Sequence, residues 1–363
     1  GTHGGVGGRG LITPSYPMTL EEVPLPEPGP GEVRVKVSYC GVCRTDLHIA
    51  EGDLLPPRLP LILGHQVVGV VDAVGGATGE GVSLDGRHGP TEPDEPREPH
   101  ELHELGGLLG ARVGIPWLHG TCGDCRYCRS GQENLCEGAV FTGFSADGGY
   151  AEYAIARPDY LVRLPDGFPD VQAAPLLCAG IIGYRSIRVA GVRPGETVGL
   201  FGFGASAHLA IQILKHWGCD VLVYTRGSQH QELARELGAS WVGRAEEGRE
   251  EVLDRAITFA PSGAVVPAAL KALRRGGTLA INAVHMDPLP PLEYPVIYWE
   301  KRIVTVANST RSDAAEFIAL AAEIPLRVKF QVYPLEEANQ ALLDLKQGKV
   351  QGEAVLEVFP HDS

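Results

Sequence analysis

Four cysteines stand at Cys122, Cys125, Cys128 and Cys136, in "CGDCRYCRSGQENLC". The spacing C-x2-C-x2-C-x7-C is a four-thiolate cage, and it suits zinc, which has no directional d-electron preference and binds four sulfurs tetrahedrally. With every corner taken, such an ion holds a loop and leaves no position for chemistry. Disulfides are the competing reading. Two-residue gaps favour a shared metal over pairwise crosslinks, and nothing else in the chain looks secreted. Any reactive metal must lie elsewhere.

The other four cysteines are Cys40, Cys43, Cys178 and Cys219. Cys40 and Cys219 read as small buried hydrophobes. Cys43 lies in "CGVCRTDLH", His65 in "LGHQVVG" and Cys178 in "PLLCAG". Each borders a glycine turn, and each could project into a cleft between domains. Two thiolates and one imidazole make a zinc site with an open fourth position, the set that binds and polarises an alcohol or aldehyde oxygen. Spacing alone does not join residues so far apart.

A second chemistry is written in "TVGLFGFGASAHLAIQILKHWG". The apolar run is a buried strand, the glycines a turn and the remainder a helix ending at Gly218. The turn comprises Gly202, Phe203, Gly204, Ala205, Ser206 and Ala207, a G-x-G-x-x-G/A pattern. Gly202 permits the tight turn, Gly204 lets backbone approach a pyrophosphate, and Ala207 lets the helix pack closely. In a strand–turn–helix context this predicts a dinucleotide site. The next strand, "DVLVYT", ends in Thr225 and Arg226, where NAD binding calls for an acid. A carboxylate would repel a 2′-phosphate, whereas Thr225 can donate to it and Arg226 supplies a cationic fork. NADP(H) is therefore expected over NAD(H). The alternative is that Arg226 is an ordinary surface arginine.

The elements that position these residues fall in two styles. The first third is β-rich: "GEVRVKVSY" alternates, and "HQVVGVVDAVG" is a buried strand bounded by glycines. From Glu196 strands and helices alternate, through "SQHQELARELGA", "AITFAP", the helix "VPAALKALRRGG" and the strand "TLAINAV". This predicts an α/β chain with a doubly wound parallel sheet. The tail from "PLEEANQALLDLKQG" adds a helix and a final strand that returns to the first domain. The lead "GTHGGVGGRG" reads as flexible, with no apolar signal core. Residues 79–105 carry eight acids against Arg87 and Arg97, with prolines at 90, 93, 96 and 99. That composition reads as an exposed, mobile excursion with polyproline character. His100 and His103, in "HELHEL", fit a solvated helix start.

At 363 residues the chain should form two domains. Forty-five acids against 31 bases give a net charge of −14, which argues against nucleic acid and anionic membrane as partners. No apolar run reaches the roughly 18 residues a spanning helix needs. Eight cysteines at metal-like spacing fit a reducing cytoplasm.

On these motifs the sequence resembles the medium-chain zinc-dependent alcohol dehydrogenases, the bacterial members especially, from about Leu20 onward. The resemblance implies a GroES-like catalytic domain over residues 1–180, including the 79–105 insertion and a structural-zinc loop at 117–140. A Rossmann coenzyme domain would span 181–312, and 313–363 would return to the first domain. It implies two zinc ions per subunit: a catalytic one on Cys43, His65 and Cys178, and a structural one on Cys122, Cys125, Cys128 and Cys136. Asp46 matches the acid that orients the ligand imidazole, Thr45 the hydroxyl that touches the alcohol, and His48 the histidine that passes the proton outward. Arg44 matches a basic residue beside the coenzyme pyrophosphate, and Trp117 an aromatic wall of the substrate pocket. Three positions depart from the pattern. Gln66 replaces a glutamate behind the zinc, Ile182 a threonine against the nicotinamide, and Glu353 an arginine near the C-terminus. The expected activity is that of an NADP(H)-dependent alcohol dehydrogenase, equally an aldehyde reductase, assembled as a homodimer or homotetramer. The alternatives are an NADPH-dependent quinone or enone reductase, whose relatives lack the catalytic zinc set, and a non-enzymatic zinc-stapled NADP(H)-binding protein.

Overall fold

Alternating valines make Val33–Val42 the longest strand among the described residues and the centre of the first unit's main sheet. Val33, Val35 and Val37 are fully buried. The register against strand Val67–Val74 then slips between Val37 and Tyr39, which makes Ser38 an extra residue. A bulge of this kind exchanges the faces of everything after it. The inward positions become Cys40 and Val42, and both join the same core.

The structure is a computed structural model that describes residues 8–13, 17–76 and 107–359. The chain divides into two compact units: Gly1–Cys178 with Phe330–Ser363, and Ala179–Lys329. The first unit's main sheet has seven strands. Along its path lie Val162–Arg163, Arg112–Ile115, Val67–Val74, Val33–Val42, Glu353–Glu357 and Phe330–Pro334, while Tyr153–Ala156 pairs with the first half of Val33–Val42. All pairings are antiparallel except Phe330–Pro334 with Glu353–Glu357. The closing strand thus brings Glu353 from the far end of the sequence to the centre of the sheet.

The second unit holds six parallel strands in the order Trp241–Gly243, Asp220–Tyr224, Thr197–Phe201, Leu253–Thr258, Leu273–Ile281 and Arg302–Thr305. The order runs outward in both directions from Thr197–Phe201, the doubly wound arrangement expected from the alternating pattern. Among the described residues no helix is long and apolar enough to cross a membrane.

Three expectations change. Gly8–Gly10, read as part of a flexible lead, open strand Gly8–Thr13 and pair with Glu21–Val23. The helix read through "ALRRGG" stops at Ala272, and Leu273 already begins a strand. Gly276, at φ +73°, explains the misreading, because two glycines resemble a helix end and a turn. The second unit also runs beyond residue 312 to Lys329, because helix Arg311–Glu323 is built into it. The excursion at 79–105, with His100 and His103, lies outside the described residues.

Asp313 is what ties that helix in. It is completely buried, accepts from Thr310 N–H and Oγ1–H at 2.8 Å each, and pairs with Arg185 at 2.5 Å and Arg188 at 3.1 Å from helix Ala179–Ala190. Phe317 packs where Gly180 leaves no room for a Cβ. Removing Asp313 takes the acceptor from the Thr310 capping donors and from two partly exposed arginines, at about 1–3 kcal/mol. Asp313→Ala should therefore lower the thermal midpoint clearly, while Glu323→Ala on the same helix should not. Equal midpoints for the two variants, measured by circular dichroism, would remove Asp313 from the packing of this unit.

Candidate functional site

Cys43 ends the run that follows the bulged strand, and it caps helix Arg44–Glu51. The helix is short and amphipathic, with Thr45, Asp46 and Leu47 buried and Arg44 exposed. Asp46 sits at the third helical position and turns back, so that its carboxylate accepts the Cys43 amide at 2.8 Å. Three further donors reach the same group: Gly64 N–H at 3.2 Å, His65 Nδ1 at 3.2 Å and Tyr150 Oη–H at 3.1 Å. A carboxylate can only accept, so His65 carries its proton on Nδ1. That leaves Nε2 for the Cys43 side of the ring. Gly64 is needed there. Its φ is +94°, and a Cβ would lie 2.4 Å from the Tyr150 ring and 2.8 Å from Cys40 Sγ.

Cys178 ends the short helical run Ala174–Leu177 and meets Cys43 with 3.9 Å between sulfurs. The ligand atoms of Cys43, His65 and Cys178 all lie within 4.8 Å of one another. The titration behaviour is that of a site arranged for a cation. Burial would lower the His65 pKa, but the charge and hydrogen bond of Asp46 and the Cys43 thiol outweigh it, raising it to about 10. The hydrogen bond from Cys178 pulls the Cys43 thiol well down, against burial, while the same contact and burial push Cys178 up. A metal would displace the protons on Cys178 and His65, so its binding here strengthens as pH rises.

The second cluster is formed by Cys122, Cys125, Cys128 and Cys136. Its sulfurs stand 3.5 Å (Cys136 and Cys122), 3.6 Å (Cys125 and Cys128) and 3.9 Å (Cys122 and Cys128) apart. A disulfide needs about 2.05 Å between sulfurs. A tetrahedron with zinc–sulfur bonds of about 2.3 Å has edges of about 3.8 Å. The four thiols therefore fit a zinc ion and not two crosslinks. Cys125 caps the short helix Arg126–Arg129, and the Cys128 amide donates to its sulfur at 3.5 Å. That backbone bond is the main cause of lowering the Cys125 thiol to about 7.

Around the first cluster, Trp117 meets His65 edge-on, with ring centroids 4.9 Å apart, and stacks on Phe141 at 5.0 Å. Thr45 Oγ1 is 3.7 Å from Cys43 Sγ. His48 is one turn on, and its Nδ1 donates to Asp53 at 3.0 Å. Gln66 is fully buried directly behind His65, and Glu353 is buried as well. Tyr150, Phe141 and Asp53 escaped the sequence reading. Tyr150 lies 104 residues from Asp46, and no local pattern links such a pair.

In the second unit, Gly202 ends strand Thr197–Phe201 at φ +88°, where a Cβ would come within 2.8 Å of the Ala260 amide. A Cβ at Gly204 would meet nothing within 4 Å, so the backbone is open to an incoming group. Helix Ala205–His216 follows, with Ala205 and Ser206 in its first turn and Ala207 fully buried. Its first-turn amides form an anion cradle suited to a pyrophosphate. Phe203 is only 2% exposed, so it can offer a ligand little beyond backbone. Thr225 is largely buried after strand Asp220–Tyr224, its amide bonded to the Gly243 carbonyl at 2.8 Å. Arg226 beside it is exposed, and Ile182 is half-buried in helix Ala179–Ala190.

Residues 29–87 and 103–166 match the family described as the alcohol dehydrogenase GroES-like domain, and residues 207–323 match the zinc-binding dehydrogenase family. A probable alcohol dehydrogenase, AdhA, of Mycobacterium tuberculosis is 43% identical over 94% of this chain and 92% of its own length. An alcohol dehydrogenase of Geobacillus stearothermophilus is 37% identical over 94% of this chain and 96% of its own. Among solved structures, acetophenone reductase from Geotrichum candidum NBRC 4597, in complex with NAD, superposes with a TM-score of 0.80 at 27% identity, covering 99% of each chain. With a thiol-and-imidazole metal set in a GroES-like unit and a glycine turn on a parallel sheet, the chain belongs to the medium-chain zinc-type alcohol dehydrogenases, oxidoreductases that act on alcohols.

Proposed function

We propose that this protein is a reversible alcohol dehydrogenase and aldehyde reductase that prefers NADP(H) and holds two zinc ions per subunit. The observation that carries the reading is the convergence of Cys43, His65 and Cys178 around an Asp46-oriented imidazole. Three donors of this kind leave a coordination position for a small alcohol or aldehyde. When bound, the metal supplies Lewis acidity and the nicotinamide accepts or returns a hydride.

The chain's own residues do the rest. Asp46 keeps His65 in one tautomer and one orientation. Trp117 and Phe141 give the substrate an apolar wall beside His65. Thr45 Oγ1 accepts the hydroxyl proton of the alcohol, and His48 passes it on, with Asp53 holding the His48 ring. Arg44 and the Gly202–Ala207 turn serve the coenzyme pyrophosphate, Ile182 the nicotinamide, and Thr225 with Arg226 the 2′-phosphate. The four-cysteine cage holds its loop and takes no part in the reaction.

A homo-oligomer, a dimer or tetramer, is part of the same reading. Arg302–Thr305 is an edge strand, and near it Tyr294, Tyr298, Trp299 and Ile303 are all exposed. An apolar sheet edge is a natural template for pairing with a second copy. A cytoplasmic setting suits eight free thiols.

Two experiments test the proposal. Polarisation by the metal is worth several kcal/mol, so Cys43→Ala should lower kcat by about a thousandfold or more with the fold intact. Cys128→Ala should chiefly lower the thermal midpoint, because a closed cage contributes folding energy. Zinc content, circular dichroism and turnover are measured on both, and full turnover in the Cys43 variant would end the metal-assisted reading. For the coenzyme, Thr225→Asp with Arg226→Ala should move kcat/KM from NADP(H) toward NAD(H) by about ten- to a hundredfold, the worth of one charge-assisted phosphate bond. A native enzyme that already favours NAD(H) would show that Arg226 is an ordinary surface arginine.

A further inference from the structure

Behind the three-donor set lies a second polar pair that the reaction above does not use. Gln66 and Glu353 are 0% and 3% exposed. Among the described residues, Gln66 Oε1, Gln66 Nε2 and Glu353 Oε2 have no hydrogen-bond partner. Their placement is set by the sheet. Ala354 pairs with Val42 in the antiparallel register of the closing strand, so the same register continued by one residue puts Glu353 across from Cys43. Gln66 lies against the central strand Val33–Val42, where a Cβ on Gly41 would meet its side chain at 2.8 Å.

A buried carboxyl with an unpartnered oxygen, as at Glu353 Oε2, is costly unless a cation or a donor faces it. The charged groups that act on Glu353 are Cys43, His65 and Asp46, and the Gln66 amide is its uncharged polar neighbour. Asp46 cannot relieve it, being another acid whose capacity is taken by four donors. A divalent cation among Cys43, His65 and Cys178 would remove the penalty. The amide between is suited to the place, with a donor end for a carboxylate and an acceptor end for a cation.

We propose that Glu353 is a positioning residue of the metal site: its carboxylate, with the Gln66 amide beside it, is the additional buried acid that retains a divalent cation among Cys43, His65 and Cys178. The inference rests on reading those three residues as a metal site. Its consequence is specific to charge placement. Either member of the pair can carry the acid, provided one of them does.

The test is competition for zinc between the full-length protein and a chromogenic chelator. The signal of the three-donor set is defined as the part that Cys43→Ala removes. Glu353→Gln should weaken zinc retention at that set by about ten- to a hundredfold, the usual effect of losing an outer partner of a metal site. The four-cysteine cage should be unaffected. The exchange variant Gln66→Glu with Glu353→Gln restores one acid and one amide to the pair and should recover most of the retention. A merely structural role would give no such rescue. Unchanged retention in Glu353→Gln, or a folded exchange variant as weak as the single one, would overturn the inference. If Glu353→Gln does not fold, Gln66→Glu alone decides: stronger retention supports the proposal, and unchanged or weaker retention contradicts it. If Cys43→Ala removes no zinc signal at all, the metal reading itself fails, an outcome distinct from the other two.

Discussion

Asp46 is completely buried, and it accepts hydrogen bonds from Cys43, Gly64, His65 and Tyr150. Removing a carboxylate from water costs several kcal/mol. Each hydrogen bond to a carboxylate contributes about 1.5–3 kcal/mol, so four together offset that cost. Each donor also fixes something else. The Cys43 amide sets the start of the helix, the Gly64 amide sets the turn before His65, and the His65 proton sets the tautomer. The geometry of the Cys43–His65 cluster and the local folding are therefore one network.

The sheet supplies the complementary constraint. The extra residue at Ser38 changes which side chains of the central strand face inward, and the strand then delivers Cys43 to the cluster. The closing strand, whose Ala354 pairs with Val42, brings Glu353 to the end of the same strand. The residues of the cluster come from positions scattered between 43 and 178. Their meeting is a property of strand order, which explains why a change of one residue in register would dismantle the site.

Much of this was legible in the sequence. The four-cysteine spacing identified a tetrahedral cage, and the sulfur separations agree with it. The alternation after Glu196 gave the parallel sheet, and Gly202, read as permitting a tight turn, has φ +88° and no room for a Cβ. Local patterns failed where geometry is long-range or locally ambiguous. Tyr150 has no sequence neighbour to reveal its role, and Gly276 and Gly277 imitate a helix end although the strand runs through them. Gln66 and Glu353 each look like an isolated departure from the family pattern. Only the sheet register makes them a pair.

The most direct test of the account is a crystal structure of the full-length protein grown with zinc, with an anomalous difference map collected at the zinc edge. The account predicts one peak inside the four-cysteine cage. It predicts a second bound by Cys43, Cys178 and Nε2 of His65, with Nδ1 still donating to Asp46. Absence of the second peak, or a metal on Nδ1 with Asp46 turned away, would contradict it.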